Sequence, residues 1–286
     1  MKRCLIPILS VALWVFPVHA QTPLCDELNG GQRTLAGNLL ASEYLYDCCD
    51  DTISACLQRE PACSLAHRLA DNVCRRIAAG QEEAQIRRAL SRRARSMVGG
   101  GAPMEIDLEA APVLGLEDAP VTVVIYACAR CPFCSRLIPK LVDAVGGGEL
   151  HDNVRIAFRI FPIRGHDNST PAGLAFQAAA EMDAFWPFML EAYRHFDGWS
   201  LEAQLQWATT VGLEPEAFNA RMADPATRAA LVASKKEGLV NGVEATPTIF
   251  INGRRWVGDL EKDELLDALE EAAADTDRRE AARNPG

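Results

Sequence analysis

The chain has 286 residues, a formal net charge of −10 and ten cysteines. This length is enough for two domains, of which the larger can bury a full hydrophobic core. The acidic charge argues against binding to nucleic acid and against adhesion to anionic lipid.

The first element, residues 1–20, has the pattern of a secretory signal. Lys2 and Arg3 are basic, residues 4–16 are mainly apolar, and the stretch ends in a small residue, Ala20. The apolar run is too short to span a bilayer comfortably. We therefore predict a signal cleaved after Ala20 and a mature protein without stable membrane insertion. The alternative is a retained membrane anchor.

Residues 25–97 are predicted to form a small all-α, cysteine-rich domain. Helical periodicity covers residues 39–57 and 64–79, and an arginine-rich third helix covers residues 82–97. The arginines predict a solvated helix face, with a docking surface for an acidic partner as the alternative. Residues 98–110, which begin with a run of glycines, are predicted to be a flexible linker.

Six cysteines lie in this small domain, and dense cysteines in an exported chain indicate an oxidising compartment. We interpret them as structural staples, with a second redox centre as the alternative. If the first two helices form an antiparallel hairpin that turns near Glu60, residues equidistant from the turn face each other. Cys48 and Cys49 are adjacent in the chain and should not bond to each other, because the small ring that such a disulfide closes is strained. These arguments predict the disulfides Cys56–Cys63, Cys48–Cys74 and Cys25–Cys49.

The stretch Cys131-Pro132-Phe133-Cys134 indicates redox chemistry. It follows an apolar run, residues 121–126, and it opens an amphipathic segment, residues 135–145, so a strand leads into a helix. Unpaired N–H groups and the helix dipole stabilise a thiolate at a helix N-terminus, and the thiolate attacks disulfides. We predict that Cys131 is an exposed nucleophile and Cys134 its resolving thiol. The alternatives are a structural disulfide or half of a zinc site.

A second motif, Thr246-Pro247, leads a short apolar strand and is followed by a closing helix, roughly residues 261–273. With the upstream CxxC, this resembles the DsbA-like branch of thioredoxin-fold thiol–disulfide oxidoreductases. The resemblance covers residues 111–274, and residues 275–286 are predicted to be a disordered tail. It implies an α/β thioredoxin fold with a helical insertion within residues 171–239. It also implies a cis peptide before Pro247, with Thr246 and Pro247 facing Cys131 and binding the substrate.

Two further residues near the CxxC motif are open to interpretation. Cys128 precedes Cys131 by three residues. It is interpreted as a buried thiol, as an accessory redox thiol that exchanges with Cys131, or as part of a metal site. His166 lies near a histidine position of the family, and we expect a capping or surface role for it.

The resemblance implies a periplasmic thiol–disulfide oxidoreductase that acts on cysteines of exported proteins and needs a redox partner protein, but no cofactor. Strong oxidases of this family often have a histidine between the two cysteines, so Phe133 predicts a milder oxidant. The alternative function is an envelope protein that binds Cu(I) through Cys128, Cys131 and Cys134. The N-terminal region resembles the three-helix thiol reductase of cytochrome c maturation. Because Tyr46 stands where that family has its first cysteine, we do not expect this domain to be catalytic.

Overall fold

The computed structural model describes residues 23–61, 63–99 and 102–283. The chain divides into two compact units, Met1–Glu83 and Ala84–Gly286. The division falls at the start of the arginine-rich helix, which the sequence analysis had assigned to the first domain. The predicted signal, residues 1–20, lies outside the described residues.

The described part of the first unit is helical. Its helix α2 begins after Asn29, whose side chain accepts the Gln32 N–H, while the Gln32 side chain accepts the Asn29 N–H. Its last helix ends before Gly80, which takes a positive φ of 77°. The helices are α1 Pro23–Asp26, α2 Gly30–Ser42, α3 Ile53–Leu57 and α4 Ser64–Ala78. The buried core includes Leu39, Ile53, Leu65, Leu69, Val73 and Ile77.

The continuous helix predicted over residues 39–57 is wrong. Helix α2 ends at Ser42, and the chain forms a loop in which Tyr44 and Thr52 make an isolated antiparallel bridge. Thr52 then starts α3 by accepting the Ala55 N–H at 3.3 Å. The residues between Ser42 and Thr52 therefore lie in a loop and not on a helix face.

The disulfides of the first unit connect this loop to the helices. The predicted pairs Cys56–Cys63, Cys48–Cys74 and Cys25–Cys49 are wrong, because they assumed two uninterrupted facing helices. Cys48 instead lies in the loop with a positive φ of 56°. The expectation that Cys48 and Cys49 do not bond to each other is confirmed. The disulfides join Cys25 to Cys74, Cys48 to Cys63 and Cys49 to Cys56.

The second unit begins with α5, Glu83–Val98, and continues as a mixed α/β fold. Its strands are β1 Val113–Leu114, β2 Val121–Ala127, β3 Val154–Ile160, β4 Thr248–Ile251 and β5 Arg254–Arg255. Its further helices are α6 Pro132–Gly146, α7 Ser169–Glu181, α8 Phe185–Arg194, α9 Leu201–Thr210, α10 Pro215–Ala223, α11 Pro225–Val240 and α12 Lys262–Arg283. A short 3-10 helix, Phe196–Gly198, joins α8 to α9.

The strands form one sheet in the order β1-β3-β2-β4-β5. Strands β2 and β3 are parallel and connected by α6, whereas the other neighbouring strands are antiparallel. Helices α7 to α11 lie between β3 and β4 in the chain, where the insertion was predicted. Most residues of β2 and β3 are apolar and buried, whereas Thr122, Arg155 and Arg159 are partly exposed. This architecture confirms the predicted thioredoxin fold with a helical insertion.

Part of the predicted linker covers one face of the sheet. Ile106 and Leu108 pack against the buried cluster that contains Val124 and Phe250. The Met104 N–H also donates to the Gly253 carbonyl at 2.9 Å. Residues 102–111, the covering segment, therefore belong to the packing of the second unit and are not a free linker.

The prediction of a disordered tail over residues 275–286 is wrong for the part of the tail that the structure describes. Helix α12 continues to Arg283, so the described part of the tail, residues 275–283, is helical. An ion pair of 3.2 Å between Asp275 and Arg278, one turn apart, supports this extension.

Helix α5 does not present all its arginines to solvent. The Arg93 side chain is fully buried, with its guanidinium 2.6 Å from Asp267 and 2.7 Å from Glu271 of α12. Arg92, its neighbour, pairs with Asp259 at 2.5 Å, and both of those side chains are about one-third exposed. Buried charges are stable only when paired, so the Arg93 cluster fixes α5 to α12 within the second unit.

Candidate functional site

The CxxC motif lies where β2 passes into α6. The Cys131 N–H donates to the Cys128 carbonyl at 3.1 Å, which closes a turn between the strand and the helix. Cys131 is the extended N-cap residue, and Pro132 occupies the first turn, where a missing N–H is tolerated. The predicted strand–CxxC–helix arrangement is present in the structure.

Cys131 is buried, whereas the sequence analysis expected it to be exposed. Cys131 has 0% relative exposure, and its thiol is directed at the Thr246 carbonyl rather than at solvent. The residue that protrudes is Phe133, which is 60% exposed. The Arg136 guanidinium lies 5.1 Å from the centre of its ring, so this face is both aromatic and cationic.

The local hydrogen bonds favour a thiolate at Cys131. A hydrogen bond with the Cys134 thiol is the largest of the effects that lower the pKa of Cys131 to about 5. Backbone N–H groups of Phe133 and Cys134 act in the same direction, and burial opposes them. Cys131 therefore has the electrostatic character of an attacking thiol at neutral pH.

Cys134 has the opposite character. Burial raises the pKa of the Cys134 thiol well above its usual value, and the hydrogen bond to Cys131 raises it further. The opposite pKa shifts therefore favour the negative charge on Cys131 and the proton on Cys134. This asymmetry matches the predicted roles of nucleophile and resolving thiol.

Thr246 and Pro247 face the CxxC motif, as predicted. The Cys131 sulfur lies 3.2 Å from the Thr246 carbonyl oxygen, and the Thr246–Pro247 peptide is cis. Strand β4 follows directly and pairs with β2, with Thr248 opposite Tyr126. The β2–β4 pairing therefore brings the two distant motifs together.

Cys128 is buried next to three polar groups. Its sulfur lies 3.2 Å from the Ser169 hydroxyl and 3.4 Å from Nδ1 of His166. It also accepts the Arg130 N–H at 3.4 Å. His166 is therefore a neighbour of this thiol, in contrast to the capping or surface role expected from the sequence.

Metal binding by the three thiols has no support in the described part of the chain. No group of three or more histidine, cysteine, aspartate or glutamate side chains has an arrangement suited to a metal ion there. The Cu(I) alternative therefore rests on the cysteine spacing alone.

In the same described residues, no helix is both long and apolar enough to cross a membrane.

Comparison with known proteins assigns the family. A family model described as Thioredoxin matches residues 107–271, which is more than half of the chain. The chain belongs to the thioredoxin family.

Solved structures with a similar fold include BdbD and a protein named as a thiol-disulfide exchange protein. BdbD from Bacillus subtilis is 22% identical, with a TM-score of 0.52 over 60% of this chain and 98% of BdbD. The thiol-disulfide exchange protein alpha-DsbA2 from Wolbachia pipientis is 21% identical, with a TM-score of 0.51 over 67% of this chain and 99% of its own. At this identity the likeness shows the fold, which is DsbA-like.

Curated relatives of this thioredoxin-family chain are much longer proteins. The Na(+)/H(+) antiporter NhaA 1 of Mycolicibacterium gilvum is 32% identical over 168 residues, which are 58% of this chain and 27% of the antiporter. NhaA 3 of Salinispora tropica is 30% identical over 206 residues, 70% of this chain and 31% of that protein. This chain spans less than a third of these relatives, so the likeness does not extend to the whole antiporters.

Two contacts of this thioredoxin-family site were missed from the sequence. Arg130 donates to the Phe196 carbonyl at 2.5 Å, and its guanidinium lies 4.5 Å from the centre of the Phe196 ring. The buried Tyr193 hydroxyl donates to the Cys128 carbonyl at 3.2 Å. Both contacts attach the helical insertion to the CxxC loop. Arg130 directly precedes Cys131, and this position was a visible sign that it belongs to the site. Nothing in the sequence pattern indicated Tyr193.

Proposed function

We propose that this protein is a periplasmic thiol–disulfide oxidoreductase that exchanges disulfides with cysteines of exported proteins. The observation that carries the proposal is the position of Cys131 at the start of α6, with its sulfur 3.2 Å from the Thr246 carbonyl oxygen and Cys134 three residues further on. The pKa of Cys131 is lowered to about 5, whereas burial raises the pKa of Cys134 well above its usual value. Paired thiols with such different acidity suit nucleophile and resolver. The DsbA-like fold of the second unit supports the same chemistry.

The exchange step needs only residues of this chain and the substrate, and repeated turnover also needs a redox partner protein. The Cys131 thiolate attacks one sulfur of a substrate disulfide and expels the other as a thiolate. Cys134 then loses its proton and attacks the Cys131 sulfur, which releases the second substrate thiol and leaves a Cys131–Cys134 disulfide. The reverse sequence oxidises a substrate dithiol, and a redox partner protein restores the starting form.

The substrate backbone is proposed to bind beside Thr246 and Pro247. The Thr246 carbonyl already lies 3.2 Å from the Cys131 sulfur, so a chain bound there presents its cysteine to the nucleophile. Phe133 is exposed on the same motif and offers an apolar contact to that chain. These contacts are not specific for one sequence, which suits a protein with many substrates.

Two features support the periplasm as the location. The sequence of residues 1–20 resembles a cleavable secretory signal. The first unit holds three disulfides, which persist in oxidising compartments.

The test is catalysed reduction of insulin by dithiothreitol and catalysed oxidation of a reduced model protein. We expect wild type to accelerate at least one reaction and Cys131→Ser to lose that acceleration. Ser135→Ala is the control on α6, because its hydroxyl bonds only the Pro132 carbonyl among the described contacts. Retention of full activity by Cys131→Ser would refute the proposal.

A further inference from the structure

Cys128 is a buried thiol that the mechanism above does not use. We propose that Cys128 is a second resolving thiol, which attacks Cys131 in a mixed disulfide and releases the bound substrate. This inference rests on the proposed function, because it requires Cys131 to form mixed disulfides. It adds an internal route by which a trapped complex is released when Cys134 does not react.

The backbone brings Cys128 and Cys131 close together. The hydrogen bond of 3.1 Å between the Cys131 N–H and the Cys128 carbonyl makes these residues the two ends of one turn. The ends of such a turn lie within about 7 Å at Cα, and disulfides span about 4.4–6.8 Å. Cys128 and Cys131 have the same sequence spacing as Cys131 and Cys134. A disulfide between either pair therefore closes a ring of the same size.

The β2–β4 pairing directs both residues to the same place. Tyr126 is opposite Thr248 in these antiparallel strands, and the continued register leads from Cys128 towards Thr246. The Cys131 sulfur already lies 3.2 Å from the Thr246 carbonyl. The register therefore places Cys128, just past the end of β2, towards the loop that Cys131 contacts.

The surroundings of Cys128 suit a reactive thiol better than an inert one. Its sulfur accepts the Arg130 N–H and lies 3.4 Å from Nδ1 of His166. The cationic groups of Arg130 and Lys235 are near enough to interact with it electrostatically. Burial does not prevent the reaction, because the attack is intramolecular.

The step is a balanced thiol–disulfide exchange. Cys128 loses its proton to Nδ1 of His166, and its sulfur attacks the Cys131 sulfur. A Cys128–Cys131 disulfide forms, and the bond between Cys131 and the substrate breaks. The substrate sulfur leaves with the electron pair as a thiolate, so the substrate is reduced and the two cysteines are oxidised. Cys134, where present, then attacks Cys131 and restores the Cys128 thiol.

The test compares the variant Cys134→Ser with the double variant Cys128→Ser/Cys134→Ser. Each full-length protein, reduced under conditions that leave the three structural disulfides intact, is treated with oxidised glutathione, and its intact mass and peptide map are followed over time. We expect Cys134→Ser to lose its glutathione adduct and gain a Cys128–Cys131 disulfide. We expect the double variant to keep glutathione on Cys131.

Each outcome is decisive. A persistent adduct on Cys134→Ser, with no Cys128–Cys131 disulfide, would overturn the role of Cys128 and leave the proposed function intact. No adduct on Cys131 in either variant would overturn the proposed function and the role of Cys128 together. If the double variant does not fold, the peptide map of Cys134→Ser alone still decides, because the new disulfide is a covalent product.

Discussion

The thiol of Cys131 lies 3.2 Å from the carbonyl oxygen of Thr246, although 115 residues separate the two in the chain. Antiparallel pairing of β2 with β4 produces this contact. It joins the nucleophile to the loop that is proposed to bind substrate. The contact therefore connects the chemistry of the site directly to the folding of the sheet.

The pKa of Cys131 is lowered from its ordinary 9.0 to about 5, so titration of the reduced protein should show a thiolate forming near that pH. Thiolate ultraviolet absorbance measures this, with Cys131→Ser as the reference. The unfolded chain keeps the proton up to about pH 9 and thus binds more protons than the folded chain above about pH 5. Stability of the reduced protein should therefore rise with pH across this window and lose this contribution below it. A transition only near pH 9 would contradict the assignment.

Phe133→His should make the protein a stronger oxidant. An imidazole beside Cys131 adds a hydrogen bond or a positive charge for the thiolate, and Phe133 is 60% exposed, so its removal leaves the core intact. We expect the pKa of Cys131 to fall by about one unit and the reduction potential to rise by about 30 mV. Equilibration with glutathione buffers measures the potential. Phe133→Leu is the control, and an equal shift in both variants would show that the imidazole is not the cause.

Arg93→Ala should destabilise the second unit much more than Arg92→Ala. The change at Arg93 removes the buried ion pairs with Asp267 and Glu271 of α12, at a cost of about 3–5 kcal/mol. Arg92 pairs with Asp259 on a partly exposed surface, where a pair contributes about 1 kcal/mol or less. Urea unfolding of both variants measures the difference. Equal losses of unfolding free energy would show that burial of Arg93 does not govern its contribution.

Non-reducing peptide mapping should recover Cys25–Cys74, Cys48–Cys63 and Cys49–Cys56. When the CxxC motif is oxidised, alkylation of the denatured protein should label Cys128 alone among the cysteines of the described residues. Cys25→Ser/Cys74→Ser should lower the stability of the first unit by about 2–4 kcal/mol, because its unfolded chain loses a cross-link. A disulfide between a cysteine of the first unit and Cys128 would contradict the structural interpretation of this unit.

The site residues were predictable because their patterns are local. The strand before Cys131, the helix after it and the Thr246-Pro247 pair are all visible in short windows of sequence. The burial of Cys131 was not, because it depends on how the sheet brings the Thr246 loop to the motif.

The disulfides and Arg93 show why other features were missed. Periodicity suggested one helix through residues 39–57, but Thr52 starts a new helix and Cys48 takes a positive φ, so the facing positions changed. The partners of Arg93 lie more than 170 residues away on α12, and an arginine-rich stretch alone gives no sign of them. The first error came from a local break between two helices, and the second came from packing between residues far apart in the chain.

The contacts of residues 84–99 and 102–111 determine how much of the chain a redox-active fragment must contain. A fragment cut at Ala111, where the sequence resemblance begins, would lack Ile106 and Leu108 and would leave Phe250 and Val124 open to water. It would also lack Arg93, whose guanidinium lies 2.7 Å from the buried Glu271. Such a fragment should aggregate, since it exposes an apolar patch. Truncation from the N-terminus should stop at Ala84, the first residue of the second compact unit.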